Sequence, residues 1–85
     1  MKKLAFSTRG WNDYLEWQTA DKQMLKRIHL LFNAVRAEPF EGIGKPEPLK
    51  HELAGWWSRR ITEEHRMVYR VSEELIEIAQ LRHHY

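Results

Sequence analysis

No cysteine occurs among the 85 residues. Neither a disulfide nor a thiolate metal site can therefore support the fold, and a reducing cytoplasm is the expected setting. Long apolar runs are missing too. None approaches the length of a membrane span, and no signal peptide precedes the first polar segment, so a soluble, cytoplasmic chain without a membrane partner is expected. An excess of one charge sign is nearly absent: 14 Lys and Arg against 12 Asp and Glu leave a net charge of +2, spread along the chain. Composition alone is then a weak pointer to nucleic acid, and position on the fold has to decide. There is no internal repeat and no low-complexity tract. The length allows a single domain, residues 1–85, which buries about 60% of the surface of its unfolded chain. Four tryptophans enlarge that thin core.

The run "KKLAF" ending at Ser7 and Thr8 reads as a first strand followed by a helix N-cap. Trp11, Tyr14, Leu15 and Gln18 then follow helical spacing. Thr19 or Asp21 can cap a second helix, whose Met24, Leu25, Ile28, Leu31, Phe32 and Val35 form an apolar stripe. Pro39 stops it. "PFEGIGKPEP" reads as a loop. Beyond Gly55 the period changes, and "WWSRRIT", "RMVYRV" and "LIEIAQL" read as three antiparallel strands joined by the charged turns "EEH" and "SEE". The expected fold class is α+β, with two N-terminal helices packed on one face of a small, largely antiparallel sheet.

Alternation divides the strands between two faces. Ser58, Arg60 and Thr62 share one side, and Trp57, Arg59 and Ile61 the other. Met67, Tyr69 and Val71 suit the helices, which leaves Arg66 and Arg70 on the open face. A tight hairpin places Arg60 or Arg59 beside Arg66, depending on a register that the sequence leaves open. A solvated sheet face carries arginines routinely, so each alone means little. "KPEPLK" adds a carboxylate. Its prolines restrict Lys45 and Glu47 to extended conformations, which would hold the Glu47 side chain in place. The chain closes on "LRHHY". Terminal residues usually fray, yet His83, His84 and Tyr85 are two imidazoles and a phenol. They are either incidental surface groups or are delivered into a site by the last strand.

"EGIGKPEPLKHELAGWWSRRITEEHRMVYRV" and the terminal R-x-H-Y resemble the YoeB/Txe family of bacterial toxins in the RelE superfamily, from the "W-x-D-Y" of the first helix to the last residue. The resemblance implies a RelE-like fold, a ribosome-dependent endoribonuclease cutting mRNA in the ribosomal A site, and a cognate antitoxin that restrains it. By motif position it implies Glu47 as general base, Arg66 as the cation at the scissile phosphate, His84 as general acid, and Tyr85 as the terminal tyrosine of the site. Lys50 and Arg60 match supporting basic residues. Lys45, Arg59 and His83 are further candidates for RNA contact, and His83 competes with His84 as acid. Tyr85, with Trp56 or Phe40, is a candidate base-stacking surface, although packed aromatics are the commoner outcome.

RNA carries its own nucleophile in the 2′-hydroxyl. A base, a cation on the phosphoryl oxygens and an acid at the 5′-oxygen suffice for its attack, giving a 2′,3′-cyclic phosphate and a 5′-hydroxyl. No metal or cofactor is expected, since His29, His51 and His65 have no partner at ligand spacing and the adjacent His83 and His84 would point apart in a strand. Two other readings share the fold: a ParE-like toxin that blocks gyrase, and a non-catalytic module that grips RNA or a protein. An acidic, partly disordered antitoxin segment suits the basic face. A homodimer through an exposed Trp17 or the helix rims is compatible with the resemblance.

Overall fold

The computed structural model describes residues 1–85. Strand β1 (Lys3–Phe6) ends at Ser7, whose hydroxyl accepts from the Gly10 amide at 3.0 Å and so caps helix α1 (Thr8–Ala20). Asp21 ends α1 and also starts helix α2 (Lys22–Ala37), its carboxylate accepting from the amides of Gln23 and Met24. The two helices form the expected antiparallel pair, and α2 stops before Pro39. The short β2 (Glu47–Pro48) and a 3-10 turn (His51–Leu53) follow. Then come β3 (Trp57–Arg60), β4 (Arg66–Val71) and β5 (Leu75–Gln80). All five strands join one sheet in the order β1-β5-β4-β3-β2. Only the β1–β5 pairing is parallel. The α+β expectation holds, with β2 added where a plain loop was expected.

Ile28, Leu31, Phe32 and Val35 of α2 pack on Met67, Tyr69, Ile76 and Ile78 of the sheet, each side chain contributing about 1.5–3 kcal/mol by leaving water. Close approach of α1 to β5 depends on Gly10, where a Cβ would collide with the Ile78 carbonyl. Trp17 is buried in the same core, 6% exposed. It therefore offers no exposed surface for self-association, which corrects the expectation for Trp17 but not for the helix rims. Its indole stays inside because the ring N–H has a buried acceptor, the Leu81 carbonyl at 2.9 Å.

Arg59 is a second correction. Alternation sends it to the helix side of the sheet, where it is 0% exposed. Its guanidinium donates to the carbonyls of Glu38 (2.6 Å), Glu41 (2.8 Å) and Ile43 (3.1 Å), and its Nε donates to the Tyr69 hydroxyl (3.3 Å). Fully buried between the loop it fastens and the sheet, Arg59 has no route to RNA. Tyr69 in turn donates to the Pro39 carbonyl at 2.7 Å.

Burial raises the Tyr69 pKa above its ordinary 10.0, with the Arg59 hydrogen bond and charge opposing the shift. The folded state therefore keeps this proton to higher pH than the unfolded chain. Its contribution to stability is complete below pH 10 and is lost as pH climbs through the raised folded value. Tyr69→Phe is expected to remove that component of alkaline destabilisation. Thermal melts from pH 9 to 11 check it, and an unchanged slope in the variant would refute the assignment.

Candidate active site

The β3–β4 hairpin sets the register that the sequence left open. Arg60 stands opposite Arg66, and Ser58 opposite Val68. Arg60, not Arg59, is thus the neighbour of Arg66 on the open face. Between them the turn "TEEH" is closed by the Thr62 hydroxyl, which accepts from the Glu64 and His65 amides at 3.2 and 3.1 Å. The turn folds its carbonyls inward around Arg66. Arg66 Nη1 donates to those of Thr62 (2.6 Å), Glu63 (2.9 Å) and His65 (3.1 Å). Its hydrogen bonds all leave from Nη1, so Nε and Nη2 have no protein acceptor, although the residue as a whole is only 7% exposed.

Glu47 reaches the same end of the sheet through β2, where it pairs with Ser58. The preceding loop differs from expectation at Lys45, which takes φ 51° in place of an extended conformation. The Arg60 amide draws in the Gly44 carbonyl at 2.6 Å and Arg59 holds Ile43, so the chain must turn sharply at Gly44 (φ 85°) and Lys45. Glu47 itself is extended, as expected, and exposed. Lys45 and Lys50 are also exposed. A groove of about 400 Å³ opens between "EPLKH" and Tyr85.

The tail answers the question posed by "LRHHY", though not as expected. It is ordered, yet it is not a strand, because β5 ends at Gln80. Side chains hold it instead. Asp13, from the "W-x-D-Y" stretch, accepts from the Leu81 amide at 2.9 Å while Trp17 holds the Leu81 carbonyl. Arg82 pairs with Glu16 and lies over the Trp17 ring. The Gln80 amide nitrogen donates to the carbonyls of Arg82 (2.9 Å), His83 (3.3 Å) and His84 (3.3 Å). His83 adopts φ 64°, a left-handed turn that aims the last two residues back across the open face.

Two contacts then close the constellation. His84 Nε2 lies 3.3 Å from the Glu63 carbonyl, the oxygen that also accepts from Arg66. Since a carbonyl only accepts, that nitrogen carries the proton. The Tyr85 hydroxyl donates to Glu47 Oε1 at 3.2 Å. These contacts link Tyr85 to Glu47, and His84 to Arg66 through the Glu63 carbonyl, with Arg60 opposite Arg66 in the sheet. His83, though exposed, turns its ring to within 5.5 Å of the His65 ring. Trp56 lies under Arg70, 4.4 Å from the guanidinium carbon, and Phe40 packs on Trp57 at 4.8 Å. Phe40 is thus committed to the side of the sheet opposite the tail.

Sequence reasoning missed Asp13, Gln80 and His65, which bind main chain and leave no spacing signature. It also missed that Glu64, His65 and His83 bring ligand-type atoms within 4.8 Å of one another. His65 Nδ1 accepts the His83 amide at 2.8 Å. The neutral ring therefore carries its proton on Nε2, which faces Glu64 at 3.6 Å. That tautomer leaves no lone pair toward the carboxylate, and it fits a hydrogen-bonding role better than metal ligation.

Two helices on one face of a five-stranded sheet, with a basic, histidine-bearing corner on the other, define a RelE-like toxin. A solved structure described as a YoeB/ParE toxin from Agrobacterium tumefaciens superposes with a TM-score of 0.93 at 48% identity, covering 98% of this chain and 99% of that one. Toxin YoeB of Escherichia coli strain K12 is 57% identical over 83 residues, 98% of this chain and 99% of its own. The YoeB–YefM toxin–antitoxin heterotetramer from Staphylococcus aureus contains a chain matching at TM-score 0.91 and 43% identity, over 100% and 99% of the two chains. The family model for the YoeB-like toxin of bacterial type II toxin–antitoxin systems matches residues 6–85. The chain belongs to that family. No helix is long and apolar enough to cross a membrane.

Proposed function

We propose that this toxin is a ribosome-dependent endoribonuclease that cuts mRNA in the A site by attack of the 2′-hydroxyl on the adjacent phosphodiester. Glu47 takes the 2′ proton, and Arg66 steadies charge on the phosphoryl oxygens through Nε and Nη2. His84 protonates the departing 5′-oxygen from Nε2, which gives up the Glu63 carbonyl when RNA enters. Tyr85 holds Glu47 in the free protein and offers its ring to a base once RNA enters the groove. Arg60, Lys45 and Lys50 add positive charge along the backbone path. The observation that carries the reading is that one carbonyl, Glu63, accepts from both Arg66 and His84 while the next residue, Tyr85, bonds Glu47. A base, a cation and an acid so gathered need no further group for this reaction.

The mechanism is tested by primer extension on an actively translated message. The wild type is expected to give discrete stops at A-site codons, with 2′,3′-cyclic phosphate ends. His84→Ala should give none above background while still sedimenting with ribosomes. Wild-type binding without cleavage would support a gripping module and refute the nuclease. The partner follows from the family: a cognate antitoxin, as YefM is in the Staphylococcus aureus complex. Its chemistry here is an acidic segment that folds onto the basic open face.

A further inference from the structure

Buried imidazoles outside a catalytic set invite the question of what they do. His65 is 8% exposed and stands edge-on to Trp17 at 5.0 Å between ring centroids. Its backbone carbonyl closes the hairpin by accepting from the Ile61 amide at 3.0 Å. Ring and main chain are therefore both held by contacts outside the tail. Onto this fixed ring the His83 amide donates at 2.8 Å, and the His83 carbonyl accepts from the Arg66 amide at 3.1 Å. Both polar groups of His83 are thus tied to the first residue of β4 and the one before it. The tie is needed, because φ 64° at His83 is a conformation that non-glycine residues adopt at a cost and keep only when their surroundings enforce it.

We propose that His65 is a positioning residue for RNA cleavage: its Nδ1 locks the His83 amide and thereby aims His84 and Tyr85 at Arg66 and Glu47. The proposal rests on the nuclease reading and adds to it a group that touches neither RNA nor the reacting atoms. Arg66 makes the geometry rigid in both directions. Its side chain shares the Glu63 carbonyl with His84, and its amide holds the residue before His84. Base, cation and acid are set against one another through two adjacent residues of the hairpin. Released from His65, His83 would relax toward negative φ, and a displacement of about 1 Å at a reacting group costs on the order of 100-fold in rate.

Two substitutions separate this role from mere packing. His65→Asn keeps an acceptor, since Oδ1 of asparagine sits where Nδ1 does. His65→Phe keeps the ring against Trp17 and loses the acceptor. Single-turnover cleavage on programmed ribosomes is expected to fall about 10–100-fold in kcat for His65→Phe with KM nearly unchanged. His65→Asn should return to within about threefold of wild type. Amide exchange at His83, followed by NMR, should lose protection in His65→Phe alone. Should His65→Phe fail to fold, a chemically synthesised chain with an ester at the Arg82–His83 linkage deletes the donor, leaves every side chain in place, and should show the same kcat loss. Equal kcat in wild type and His65→Phe, or equal losses in His65→Phe and His65→Asn, would overturn the positioning role. A wild type that binds ribosomes and never cleaves overturns the nuclease reading itself, so the two failures are distinguishable.

Discussion

Glu47→Gln is expected to lower the single-turnover rate of cleavage about 10²–10⁴-fold, the usual range for a lost general base, with no measurable change in melting temperature. Glu47 is exposed on the short β2 and its one side-chain partner is the Tyr85 hydroxyl. Glutamine has the same shape and its Oε1 can accept that hydrogen bond, so the groove and the tail keep their positions. What the amide lacks is the basic oxygen. The rate loss should thus appear in kcat, with ribosome affinity unaltered. Quench-flow with end-labelled message measures both. A variant within about threefold of wild type would leave Glu47 without a chemical role.

Arg59→Leu should cost the fold about 3–5 kcal/mol, among the largest losses a single substitution gives. Three loop carbonyls and one hydroxyl depend on this guanidinium. Leucine would leave acceptors without partners beneath the sheet. Arg59→Lys should recover only part of the loss, because one ammonium cannot span acceptors spread from Glu38 to Ile43. Urea unfolding at neutral pH provides the measurement, and a destabilisation under about 1 kcal/mol would refute the account. A double-mutant cycle with Tyr69→Phe should be non-additive, since the two side chains share a hydrogen bond. The loop that Arg59 fastens leads directly into β2, so residual folded Arg59→Leu should also cleave poorly.

The helices and the three-stranded meander were legible because their apolar residues repeat at helical and strand periods. The α2 stripe, Ile28 to Val35, became the core as read. Alternation correctly set Arg59 and Arg60 on opposite faces. It could not choose the face beside Arg66, since one residue of slip exchanges them. The pairing of Arg60 with Arg66 settles that, and sends Arg59 inside. β2 was invisible because two residues have no period. The tail was misread as strand for a different reason. Leu81 offers its amide and carbonyl to Asp13 and Trp17 of α1, and no local pattern announces side chains that bond main chain more than sixty residues away. The contacts of Tyr85 with Glu47, and of His84 with the turn around Arg66, were to be expected only through the resemblance, since nothing in their spacing brings these residues together.

Fastening by side chains makes the last four residues mechanically independent of the ladder. Peeling Arg82–Tyr85 away would break contacts with Glu16, Trp17, Glu47, Glu63, His65 and Gln80 and the hydrogen bond from the Arg66 amide, yet no rung between strands. The molecule is then expected to have two melting scales, a shallow one for its chemistry and a deeper one for its architecture. A protein or solvent condition that lifts this short segment would take the candidate site apart while leaving the protein folded, and the effect would reverse as soon as the segment re-seats.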